Sequence, residues 1–102
     1  MIKIKVDKNI IIISGHANND EYGKDIVCAS VSSIVYTTIN GILNIDSSAI
    51  KYKDDKELVI EIIKNDNITN KLIENMMVLL QELANEYPKC IKISKGDKTC
   101  YL

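Results

Sequence analysis

The stretch "MIKIKVDKNIIIIS" constrains the fold most. Ile2, Ile4 and Val6 alternate with Lys3 and Lys5, and a period of two is the mark of a strand with one face buried. "DKN" reads as a tight turn, because Asp and Asn side chains satisfy nearby backbone groups and tolerate turn geometry. The continuous apolar run from Ile10 predicts a second, more buried strand. Two such runs joined by so short a turn form a hairpin, which ends at Gly15 and His16. A hairpin with one apolar face needs another layer to cover it.

The following sequence supplies that layer. "ANNDEYGK" is polar and contains a glycine, so residues 17–24 read as a loop. "DIVCASVSSIVYTTINGIL" places Val27, Val31, Ile34, Val35 and Ile42 at helical spacing. Its β-branched residues are weak helix formers, so this helix depends on packing. Ala29, Ser30, Ser32 and Ser33 allow a neighbouring element to come close. Ala49 to Lys53 predicts a strand, Asp54 and Asp55 a turn, and Glu57 to Ile63 another strand. "KNDN" breaks the pattern. From Thr69 to Glu86, Leu72, Met76, Leu79, Leu80 and Leu83 form an amphipathic helical stripe, which Pro88 ends. Cys90 to Ile93 predicts a last strand. The expected fold is α+β, in the order ββαββαβ, with one sheet packed against two helices. An exposed sheet edge invites pairing with a second copy.

The chain has 102 residues, which suits a single domain over 1–102. Aromatic residues are only 5%, with no Trp and no Phe, so Ile must carry an aliphatic core. Thirteen basic and fourteen acidic side chains nearly cancel. Phosphate contacts normally demand a basic excess, so direct nucleic-acid binding is not expected. "MIKIKVDKN" lacks the apolar run of a signal peptide, and no stretch approaches the roughly eighteen apolar residues of a membrane span. A cytoplasmic protein without membrane contact is expected. Three widely spaced cysteines fit reduced thiols better than a disulfide framework.

The chemistry concentrates in "SGHANNDEYGKDIVCASVS", which holds the only histidine, His16, together with Cys28. Asp25 is a candidate N-cap for the first helix. That cap would put Cys28 at the third helical position, where the positive helix end favours a thiolate. Free N–H groups nearby can hold an oxyanion. If the loop folds back, His16 reaches the sulfur and acts as base and then acid. Ser32 and Asp25 sit at helical spacing from Cys28, on related parts of one face. Asp25 can orient His16 or cap the helix, but not both with one oxygen. On spacing alone a plainer reading is favoured: Cys28 as a small buried hydrophobe, His16, Gly15 and Gly23 as turn residues, Asp25 as a cap and Ser32 as packing. Zinc is not expected, since close Cys or His pairs are missing. Cys90 reads as a strand core residue and Cys100 as a tail residue. No cofactor is implied.

The same residues change that weighing by resemblance. "GHA" at Gly15 to Ala17, followed by "GKDIVCASVS" from Gly23 to Ser32, resembles the ribosomal-processing cysteine protease (Prp) family, whose pattern is G-H-A and then G-x-D-I-V-C-A-x-V-S. The specific motif covers Gly15 to Ser32; length and element order agree over nearly the whole chain. The resemblance implies a dimeric endopeptidase acting on a large-subunit ribosomal protein, the twenty-seventh of the L series. The family enzyme removes a short N-terminal extension from it, cutting after a pair of aromatic residues and before a small one. By position, the resemblance implies Cys28 as nucleophile, His16 as general base, and supporting roles for Gly15, Asp25 and Ser32. The polar loop, with Gly23 before the helix, is expected to cover the site until substrate binds. Val27, Val31 and Ile34 are expected to supply an apolar groove for the aromatic pair. Two other functions compete: a non-catalytic interaction module on the ribosome, and a thiol redox sensor using Cys28. The sensor leaves His16 and the G-H-A block without a task.

Overall fold

The structure, a computed structural model, describes residues 1–15 and 24–96, with helix side chains from Ile26 onward. The elements are β1 (Ile2–Asp7), β2 (Ile10–Ser14), α1 (Lys24–Ile45), β3 (Ile50–Asp54), β4 (Leu58–Ile62), α2 (Asn67–Glu86) and β5 (Ile91–Lys95). The ββαββαβ order is the one the sequence predicts. The strands form one sheet in the order β3-β4-β2-β1-β5. All pairings are antiparallel except β1 with β5, which run parallel.

Register explains why one face is apolar. Ile4 lies opposite Ile13, and Val6 opposite Ile11. Ile11 lies opposite Ile60, and Ile50 opposite Ile62. Ile2, Ile4, Val6, Ile11, Ile50, Ile60 and Ile91 are buried in the core that the helices cover. Each such side chain contributes roughly 1.5–3 kcal/mol by leaving water. The other face carries exposed Lys3, Lys5, Lys51, Lys53 and Lys92. Ile10 and Ile12 lie on that face too and are only half-buried, so β2 is less buried than its apolar run suggests. The turn between β1 and β2 holds Lys8 at a φ of 56°. Asn9 ties the turn to β4, its Nδ2 donating to the Ile62 carbonyl at 3.2 Å.

α1 buries Val27, Val31, Val35, Ile39 and Ile42. The Thr38 hydroxyl donates to the Ile34 carbonyl at 2.9 Å, which satisfies a polar group on a helix poor in intrinsic propensity. Contrary to the sequence reading, Ile26–Ile45 is long and apolar enough to cross a membrane by length and composition. Its buried stripe faces the sheet and α2, while Ser32, Ser33, Thr37, Asn40 and Asn44 are exposed; that arrangement suits the core helix of a packed domain.

α2 starts two residues earlier than expected. Asp66 is its N-cap, with a carboxylate oxygen accepting from the Thr69 N–H at 2.8 Å. The polar break "KNDN" thus contains the helix signal itself. The buried stripe is Ile73, Met76, Met77, Leu80 and Ala84. Leu79, expected inside, is exposed, and Leu72 and Leu83 are half-buried. The strands also shift slightly: β3 and β4 enclose the turn at residues 55–57, and Cys90 lies in the turn before β5. The Cys90 carbonyl accepts from the Ile2 N–H at 2.8 Å, which joins that turn to β1.

Candidate active site

The end of β2 and the first half of α1 form the two sides of a groove of about 190 Å³. Gly15 closes β2 in the left-handed region, with φ 82°. A Cβ at this position would collide with the backbone carbonyl oxygen of Met1 and would also face a strained φ. Gly15 is therefore required twice over: by its conformation, and by the close passage of the chain next to it.

Across the groove, α1 presents Cys28, Val31, Ser32, Val35 and Tyr36. Cys28 is a half-buried thiol that packs against the core. Ser32 is one turn further on and exposed. The floor is apolar, with Ile2, Ile13 and Leu58 from the sheet. The far end comes from the β3–β4 turn, with Asp54, Asp55 and Lys56. There the Tyr36 hydroxyl donates to the Asp54 carboxylate. The carboxylate holds the phenol in its neutral form and pushes its pKa up to about 12. The Tyr36 ring also meets Tyr52 edge to face, with centroids 6.3 Å apart.

Of the residues singled out in the sequence, Gly15, Cys28 and Ser32 are brought together in this groove. His16, Gly23 and the loop over residues 17–23 lie outside the described residues, as does Cys100. The Asp25 backbone is helical: α1 begins at Lys24, so Asp25 lies inside the first turn and is not the N-cap. Sequence does not separate these positions, because an acidic residue suits the positive helix end at either place. Cys28 accordingly falls at the fifth helical position and not the third. The field of the helix end fades within the first turn, and Cys28 lies just past that turn.

The apolar lining also differs from expectation. Val31 lines the groove, but Val27 is fully buried and Ile34 packs against the core elsewhere. Val35, Ile13 and Leu58 take their place. Tyr36 lies outside the motif, although it continues the Cys28, Ser32 spacing by one more turn. Asp54 had no local signal; the hairpin of β3 and β4 carries it to the groove. Among the described residues, no group of three or more His, Cys, Asp and Glu side chains is placed to hold a metal.

The fold is one that known proteins share. The sequence profile described as "Cysteine protease Prp" matches residues 1–92. The ribosomal processing cysteine protease Prp of Staphylococcus aureus is 31% identical over 88 residues, covering 82% of this chain and 83% of the relative. Its counterpart in Mycoplasma genitalium is 31% identical over 98 residues, covering 93% and 96%. Among solved structures, the S. aureus ribosomal processing protease Prp with a covalently linked product peptide superimposes with a TM-score of 0.84. It is 27% identical and covers 94% of this chain and 100% of that one.

Proposed function

Because the chain belongs to the cysteine protease Prp family, we propose that it trims the N-terminal extension of a large-subunit ribosomal protein, the twenty-seventh of the L series. In this reading Cys28 is the nucleophile and His16 the general base. The observation that carries it is the common groove of Gly15 and Cys28. Gly15 immediately precedes His16 in the chain, so the wall facing Cys28 ends one peptide bond from the imidazole-bearing residue.

The chemistry follows from those positions. His16 takes the proton of the Cys28 thiol, and Sγ attacks the scissile carbonyl carbon. The negative charge that develops on the carbonyl oxygen needs hydrogen-bond donors aimed at it. Collapse of the tetrahedral intermediate breaks the C–N bond, and His16 returns its proton to the leaving amine. A thioester to Cys28 remains. Water, deprotonated by His16, attacks it and releases the carboxylate product and the thiolate. The apolar floor of Ile2, Ile13, Val31, Val35 and Leu58 suits the aromatic pair that precedes the cut. Ser32, exposed one turn beyond Cys28, is within the same groove to bond the peptide backbone.

The proposal extends to a homodimer, supported by the sheet edges at β3 and β5, which pair with no further strand among the described residues, and to action in the cytoplasm. It is tested with a peptide spanning the extension and the first residues of the mature protein. The expected result is one cut after the aromatic pair, abolished by Cys28→Ala and by His16→Ala. Binding without cleavage by the wild type would instead support a non-catalytic interaction module, and neither would remove the ribosomal protein as substrate.

A further inference from the structure

Tyr36 is the last residue of α1 along the groove. Its ring is held on two sides. The hydroxyl donates to the Asp54 carboxylate, which fixes the ring to the end of β3. Tyr52 abuts it edge-on at an interplanar angle of 82°. A half-buried aromatic ring fixed in this way presents a rigid surface, and rigid aromatic surfaces bind side chains at low entropic cost. Two helical turns separate it from Cys28, about 12 Å at 1.5 Å per residue. An extended peptide advances about 3.3 Å per residue. For a peptide running along α1, the ring therefore stands three to four substrate residues away from a scissile bond placed at Cys28.

We propose that Tyr36 is a specificity-determining residue: its ring is the end wall of the groove and receives an apolar or aromatic side chain three to four residues from the scissile bond. Asp54 is the positioning residue that keeps the wall in place. The inference rests on Cys28 being the nucleophile. It implies that recognition reaches beyond the residues at the cut, so that short peptides bearing the same cut residues bind less tightly than long ones. It also assigns the Tyr36 hydroxyl to holding the wall and not to the chemical step.

The test separates this inference from the reading it rests on. Binding is measured by fluorescence anisotropy in the Cys28→Ala background, where no cleavage intervenes. Two peptides are used: one spanning the extension and the first four mature residues, and one keeping only two residues on each side of the bond. Adding Tyr36→Ala is expected to weaken the long peptide about three- to tenfold and leave the short one unchanged, while Tyr36→Phe keeps the ring and retains most of the affinity. With active enzyme, Tyr36→Ala raises KM for the long peptide and leaves kcat unchanged. Equal weakening of both peptides, or no change with the long one, overturns the inference while wild-type cleavage of the long peptide preserves the protease reading. Absence of both binding and cleavage overturns the two together.

Discussion

Gly15 at the end of β2 and Cys28 on α1 line the same groove from opposite sides. The backbone of Gly15 has a φ of 82° and passes against the carbonyl of Met1. Gly15→Ala fits only if backbone shifts, because the obstructing atoms are those of the Met1 carbonyl. A loss of about 1–3 kcal/mol in stability is expected from the strain. The larger expected effect is on cleavage, since the strain falls on the residue before His16. Urea denaturation and peptide cleavage, measured on the same variant, check both.

The Tyr36–Asp54 hydrogen bond gives a spectroscopic signature. The phenol is raised to about 12 by its carboxylate partner. Because the folded pKa is raised, this interaction stabilises the fold fully below the ordinary tyrosine value of 10.0 and loses that contribution as pH rises through about 12. In an ultraviolet titration, the difference between wild type and Tyr36→Phe should place the missing ionisation near the upper end of that range. Asp54→Asn should bring it back toward 10.0. A missing step at the ordinary tyrosine value would show that the hydrogen bond is absent in solution.

Asp46 and Lys64 join the end of α1 to the segment after β4, Nζ to Oδ2 at 2.7 Å. The Lys64 ammonium, with further hydrogen bonds from the Ser48 hydroxyl and backbone N–H, lowers the Asp46 carboxyl to about 2. A depressed folded pKa means that the unfolded chain binds more protons in this window. The contribution is therefore present above the ordinary 3.8 and is lost as pH falls through about 2. Urea midpoints at pH 5 and pH 2.5 should differ less for Asp46→Asn than for the wild type. The pair is solvent-exposed, so added salt should shrink the difference.

Asp66 caps α2 through Thr69. Asp66→Ala removes the acceptor for that N–H and should cost about 1 kcal/mol in stability. Asp66→Asn, which keeps a capping oxygen, should recover most of it. Circular dichroism with thermal unfolding distinguishes the three proteins.

Lys8 occupies the left-handed region with φ 56° in the β1–β2 turn. That conformation costs a non-glycine residue roughly 1–2 kcal/mol. Lys8→Gly should therefore stabilise the protein by about 0.5–1 kcal/mol after the greater entropy of the unfolded glycine is counted. A lower urea midpoint for the variant would count against the turn geometry.

What the sequence by itself determined is the local pattern. Ile2, Ile4 and Val6 alternate because a strand has a period of two, and each of them is buried while Lys3 and Lys5 are exposed. The order of elements, the motif bringing Gly15, Cys28 and Ser32 to one region, and the helix-ending Pro88 are likewise short-range information. The phase of α2 was not. Its apolar residues span more than one stripe, so the outward position of Leu79 and the inward positions of Ile73 and Met77 were decided by how α2 docks on α1 and the sheet. The cap at Asp66 shows the same limit at closer range, since a polar run reads equally as a loop or a helix start. The groove's end wall lay furthest from view. Tyr36 and Asp54 meet because β3 and β4 pair with Asp54 opposite Leu58, and that register places a turn beside a helix. Periodicity records which side of an element is apolar; only packing between elements decides which side chains face each other across a cleft.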